Sequence, residues 1–356
     1  MVGASPAGFR LARPCSVAIR DEENCASPAS APCHRSASRD CLVGHGVSTA
    51  QNVHGSADTA PVSSHVSVSA GRPGSVRVPT GVSDPSTSAR TSASPLRRAV
   101  HVSLLESDGG VYGVGMPIIA WFTRAPADAA AFEKAATVRV NGAPAGGAWY
   151  WEKSAHQGAA VEAHDRPQHY WPAHAKIRMT APVKGLSAGK GLAYDDSMTL
   201  SLSTGAANIA TVDGHSERMT VTSDGKKVFS FPVSLGAADH PTYGGTKVVM
   251  EKDRVQEMKS SPGEPYYDLK VPWSVRLTNS GEFVHSASWN GGNIGIRSTS
   301  HGRTNLNVAA TQQYFRFARI GDVFTYTNTG GPTMPSWDGY GDWNVPWSAW
   351  QAGGIL

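Results

Sequence analysis

Two histidines, His285 and His301, stand sixteen positions apart in GEFVHSASWNGGNIGIRSTSHGRTNLN, a stretch rich in Gly and Asn. Imidazole changes charge near neutral pH and ligates metals, so two on one loop suit either proton transfer or metal binding. A zinc centre takes three or four protein ligands, and no further ligand recurs here at a suitable spacing. The expected chemistry is therefore acid–base, with neither metal nor other cofactor. A second group, His164, His169 and His174, recurs every five residues in AHDRPQHYWPAHAK. Pro167 and Pro172 bar a helix there, so these are expected to be exposed histidines at strand ends.

The four cysteines, Cys15, Cys25, Cys33 and Cys41, lie eight to ten apart in the first part of the chain. Zinc motifs and redox pairs are not spaced that way. The first hundred residues hold ten Arg, no Lys and six acids, which supplies the whole formal net charge of +4. The remainder balances at 22 basic and 22 acidic side chains, which argues against nucleic acid as a partner. Phe9 is the one aromatic residue of that stretch, and Ser, Ala, Pro and Gly abound. Residues 1–98 therefore read as a disordered tail or linker.

From residue 99 short β-type runs alternate with turns, as in MPIIAWFT, ATVRVNG, AKIRMTAPV and SMTLSLST. That spacing predicts a β-sandwich over 99–207. A second domain over 208–330 begins with RMTVTSDGKKVFSFPVSLG, two alternating strands around Asp224-Gly225, a pair suited to a two-residue hairpin turn. One helix is expected in NVAATQQYFRFARIGD, with Ala310, Tyr314, Phe317 and Ala318 near one face and Gly321 ending it. Residues 331–356 place Trp337, Tyr340, Trp343, Trp347 and Trp350 close together, a density expected to pack back on the second domain. No apolar run of 18 residues occurs, so no transmembrane helix is expected.

The pattern His285-Ser286-Ala, then Trp289-Asn, then Ser300-His301-Gly302-x-Thr-Asn305-Leu resembles the signature of the L,D-transpeptidases. RLTNSGEFVH upstream and RIGDVFTYTN downstream resemble the same family, and the likeness extends over about residues 99–356. It implies a mainly β chain: an immunoglobulin-like β-sandwich, then a catalytic domain that is a β-sandwich with a few helices. It implies acyl transfer between peptidoglycan stem peptides, giving 3→3 cross-links through a cysteine thiolate that carbapenems acylate.

By that resemblance His285 is the general base, held by the main-chain carbonyl of Ser286, while His301 shapes the loop. The N–H groups of Gly302 and Arg303 face the oxyanion. Met250, Tyr266 or Tyr267, Trp289, Ser300 and Asn305 border the substrate. The chain departs from the family at the decisive position, where Arg303 replaces the nucleophilic cysteine. A guanidinium is protonated at any physiological pH and cannot form a thioester, so catalysis is expected to be absent. Its charge also disfavours an imidazolium at His285. The alternative is a non-catalytic protein that binds stem peptides, Arg303 gripping a carboxylate.

The resemblance also implies a monomer acting outside the cytoplasm, in the cell wall or a periplasm-like space, exported by signal peptide or lipid anchor. Around Phe9 to Ile19 a charged, Pro-interrupted stretch stands where a secretory hydrophobic segment is expected, so the natural start is expected to lie elsewhere.

Overall fold

The structure, a computed structural model, describes residues 97–260 and 266–356. The tail reading and all four cysteines lie outside the described residues.

In the first module, antiparallel strands Val102–Leu104, Ile118–Phe122, Val161–Arg166 and Ala148–Lys153 form one sheet in that order. Strands Met198–Thr204, Lys176–Ala181 and Thr137–Val140 form the heart of the facing sheet. Alternation explains the layering: in KIRMTA the buried residues are Ile177, Met179 and Ala181, every second position. Their core is shared with Ile118, Ala120, Phe122, Trp151 and Ala163 of the other sheet. Phe122 packs against Phe132 and Trp151 with ring centroids 4.9 and 4.7 Å apart. Phe132 comes from helix Ala129–Ala135, whose first turn is capped by Asp128 accepting from the N–H of Ala131.

The second module has its own core, with Val212, Met219, Val221, Val275, Val284, Leu306, Tyr314 and Phe324 at its centre. A six-stranded sheet runs Lys226–Pro232, Arg218–Ser223, Asn208–Asp213, Val323–Thr327, Thr242–Val248, Gly330–Thr333. A four-stranded sheet runs Glu251–Lys259, Asp268–Arg276, Phe283–Ser286, Thr304–Leu306. The hairpin turn falls on Asp224 and Gly225, with φ of 47° and 77°, the left-handed pair that such a turn requires. Helix Val308–Phe317 is capped by Asn307 and buries Ala310, Thr311 and Tyr314. It stops at Ala318, before Gly321, because the Ala318 N–H closes on Tyr314 and the backbone then turns extended. Gly321, at φ 90°, instead forms the tight approach to Gly113, where a Cβ would meet the Gly113 nitrogen at 2.7 Å.

Two expectations are overturned here. His164 is buried, at 1% exposure, because its strand lies inside the sheet and the C-terminal segment covers the sheet's outer face. His169 and His174 are exposed as expected. The Trp-rich segment does not rest on the second module alone. Trp350 donates its indole N–H to the Ala148 carbonyl (2.8 Å) and stacks on Tyr150, both in the first module. The Arg166 guanidinium lies over the rings of Trp343, Trp347 and Trp350, at 4.7, 5.4 and 4.2 Å. On the other side Asn344 accepts from the Thr246 N–H and donates to the Thr246 carbonyl, in the second module. The segment therefore straps the two modules together. Cation–π attraction to a buried guanidinium explains why the tryptophans gather at Arg166.

Candidate active site

His285 lies on the strand Phe283–Ser286, all four residues of which are buried, and it pairs in register with Asn305 of the parallel strand Thr304–Leu306. Its Nδ1 lies 3.0 Å from the Ser286 carbonyl, so Nδ1 carries the proton and Nε2 is left as an acceptor. Burial pushes the imidazole pKa down to about 4; the Ser286 carbonyl raises it, and the Arg303 charge lowers it further. The ring therefore stays neutral at pH 7. Trp289, largely exposed, stacks beside it with centroids 5.9 Å apart.

A cavity of about 310 Å³ opens on this imidazole, lined by Tyr267, His285, Trp289, Ser300, His301, Arg303 and Asn305, with Met258, Leu269 and Val271 as its apolar wall. A second cavity of about 270 Å³ lies against Tyr243, Glu282 and Gly302. Tyr267, His301 and Arg303 border both, forming the wall between them.

Arg303 dominates the first cavity. One of its terminal nitrogens donates to the Tyr267 hydroxyl at 2.9 Å. Its Nε and the Asn305 Oδ1 are buried with no hydrogen-bond partner. No acid pairs with it among the described residues, and none lines this cavity. The Ser300 hydroxyl lines the cavity but donates to the Arg303 carbonyl at 2.5 Å. Thr304 turns into the core, its hydroxyl 2.8 Å from that of Tyr326. His301 is exposed, its ring 4.6 Å from that of His240.

Gly302 holds the loop in a left-handed conformation, φ 82°. Its carbonyl accepts from Thr242 Oγ1 at 2.9 Å, and the same hydroxyl accepts from the Gly236 N–H. The N–H groups of Gly302 and Arg303 have no hydrogen-bond acceptor among the described residues. Beneath the loop Glu282 accepts from the Tyr243 N–H and pairs with Lys247, which is fully buried and sits 3.9 Å over the Tyr326 ring. Burial pushes the Lys247 pKa down and the Glu282 pKa up, each drawn back by the other's charge.

Nine of the ten residues predicted for the site, His285, Ser286, Trp289, Ser300, His301, Gly302, Arg303, Asn305 and Tyr267, are gathered at these two cavities; Ser286 takes part through its carbonyl. Met250 is not. Its N–H bonds to the Arg276 carbonyl at the other end of the long hairpin, and it borders a separate cavity with Leu105, Trp121 and Tyr340. Met258, eight residues further on in the strand Glu251–Lys259 that follows Met250, and so roughly 26 Å away at 3.3 Å per residue, reaches the His285 cavity instead. Tyr266 is 83% exposed, so Tyr267 is the tyrosine that faces inward.

Several supporting residues escaped the sequence reading. Asn290 accepts from Asn293 and Thr299 and donates to Ser234, which ties down the loop between the two histidines. Its place in an Asn-rich run was the only local signal. Glu282, three residues before His285, and its partner Lys247 left none.

Residues 207–329 match the L,D-transpeptidase catalytic domain family, and residues 80–187 match a bacterial Ig domain family. The second module thus carries the L,D-transpeptidase catalytic domain. The chain is 34% identical over 256 residues to L,D-transpeptidase 2 of Mycobacterium tuberculosis, covering 70% of this chain and 61% of that protein. It is 31% identical to L,D-transpeptidase 5 of the same species, covering 73% and 57%. The chain thus spans about three-fifths of the length of these relatives. A solved L,D-transpeptidase from Mycobacterium smegmatis superimposes with a TM-score of 0.53 at 28% identity, over 65% of this chain and all of that one. The mainly β architecture is accordingly an Ig-like module followed by an L,D-transpeptidase catalytic fold.

Proposed function

We propose that this L,D-transpeptidase acts in cell-wall biogenesis, outside the cytoplasm, where its class forms 3→3 cross-links between peptidoglycan stem peptides, and that this chain has itself lost the cross-linking step. The observation that carries the reading is Arg303 at the mouth of the His285 cavity, bonded to Tyr267. Acyl transfer needs a nucleophile within reach of a base and donors aimed at the oxyanion. The base, in a tautomer with Nε2 free to accept, and the unengaged N–H groups of Gly302 and Arg303 supply two of these parts. No nucleophile joins them: Ser300 is held by a carbonyl and Thr304 faces the core.

A second reading is favoured by the buried, unpartnered Nε of Arg303 and Oδ1 of Asn305 in a cavity without acids. An uncompensated guanidinium in such a place takes a carboxylate, so stem-peptide binding would survive the loss of catalysis.

The test is intact mass and peptide mapping of the full chain after incubation with a carbapenem, beside Arg303→Cys. The expected result is no adduct on the 300–305 loop of the native chain and one on the variant. An adduct on Ser300 or Thr304 of the native chain would overturn the loss of catalysis. Titration with a stem tetrapeptide separates the second reading: binding that Arg303→Ala weakens at least tenfold supports it, and equal binding refutes it.

A further inference from the structure

The strap over the first module covers a cluster of ionisable side chains remote from the His285 cavity. Glu152 and Glu162 are direct cross-strand partners, and His164 follows Glu162 by two residues on the same face. Carboxylates placed directly opposite each other repel, and these two are at most 14% exposed. The His164 imidazole stands between them and the strap. Its Nδ1 lies 2.6 Å from Asp342 Oδ1. Its Nε2 lies 3.4 Å from Glu162 Oε1 and 3.9 Å from Glu152 Oε1 yet is buried without a hydrogen bond to either.

These three groups each present one ligand atom, all within 4.8 Å of one another. Ligand atoms around a tetrahedral zinc ion, bound at about 2.0–2.2 Å, are separated by roughly 3.3–3.6 Å, so modest side-chain rotations bring this set to bonding distance. The Asp342–His164 contact supplies the carboxylate that orients a ligating imidazole through its far nitrogen, leaving Nε2 as the donor atom.

Charge points the same way. Glu106, Glu152, Glu162 and Asp342 converge here, and the neighbouring fixed cation, Arg166, spends its donors on the carbonyls of Pro167, Asp342 and Val345. A cavity of about 280 Å³ lined by Trp121, His156, Glu162 and Tyr340 gives a route from solvent and room for a water as fourth ligand.

We propose that Glu152, Glu162 and His164 form a binding site for a divalent cation of the zinc class, with Asp342 orienting the imidazole. Such an ion relieves the repulsion between the glutamates. It also ties the strap to the first module, since Asp342 and Ser336, which donates to Glu152 at 3.1 Å, both belong to the C-terminal segment.

The experiment is zinc titration of the metal-free full chain by calorimetry, after alkylation of Cys15, Cys25, Cys33 and Cys41 to remove thiol binding. The comparison is with His164→Gln and Glu162→Gln. The expected result is one saturable equivalent fewer in each variant that retains the native circular dichroism. A zinc-induced rise in melting temperature is expected in the native chain and lost in the variants. If His164→Gln does not fold, Glu162→Gln decides, since Glu162 lies at the cavity wall. Unchanged stoichiometry in either folded variant, or no saturable binding by the native chain, overturns the proposal.

Discussion

The protonation of His285 can be tested directly. Its pKa falls from the ordinary 6.5 to about 4, first because burial penalises the charged ring and further because the Arg303 charge opposes it. At about 1.4 kcal/mol per tenfold step, that gap amounts to roughly 3 kcal/mol in favour of the neutral ring. The folded value lies below the unfolded one, so the folded state binds fewer protons. The contribution to stability is therefore complete above pH 6.5 and is lost as pH falls through about 4. Arg303→Met removes one cause but leaves burial, so the midpoint should rise while remaining below 6.5. Long-range proton–nitrogen correlation spectra of the imidazoles report both tautomer and titration, and the spectrum of His285→Gln assigns the signal by its disappearance. The expected spectrum shows a proton on Nδ1 and a midpoint near 4. A midpoint near 6.5 in the native chain, a proton on Nε2 instead, or a lower midpoint in Arg303→Met would each refute the reasoning.

Two further predictions concern the loop and its support. Gly302→Ala places a Cβ 3.5 Å from Glu282 Oε1, which is ordinary contact, so its cost comes from the left-handed φ of 82°. That is about 1–2 kcal/mol, a fall of several degrees in melting temperature by calorimetry; an unchanged melting temperature counts against the assigned conformation. Lys247→Met strands the buried Glu282 carboxylate and should cost about 3–5 kcal/mol in urea unfolding. Lys247→Met with Glu282→Leu should recover part of that loss, the remainder reflecting the Tyr243 N–H left without its acceptor. A double variant no more stable than the single one would show that the pair's burial is not the source of the cost.

Arg303 changes the site in two linked ways. On the proposed reading it stands at the nucleophile position, and it places a charge next to an imidazole already neutralised by burial. Catalysis through a thiolate–imidazolium couple would need that imidazole to accept a proton, which both effects oppose. Carboxylate binding needs no proton transfer from His285, so Arg303 is compatible with the proposed recognition of a stem peptide.

What the sequence determined by itself was local in cause. Asp224-Gly225 specified its hairpin because both residues tolerate positive φ. Ile177, Met179 and Ala181 revealed a buried strand face because side chains alternate with period two. The run from His285 to Asn305 was legible as a candidate site because most of its polar side chains lie within one loop and the two strands that flank it.

Tertiary structure decided what depended on a distant partner. Which of Met250 and Met258 reaches the cavity follows from the register of the hairpin Glu251–Lys259 with Asp268–Arg276, which pairs Met258 with Leu269. Whether His164 is exposed depends on Asp342, 178 positions away, and the Trp strap gathers at Arg166 because only the folded chain brings that guanidinium under three indoles. Composition and periodicity register a residue's own preferences; they carry no information about which opposite charge or ring the fold will bring to it.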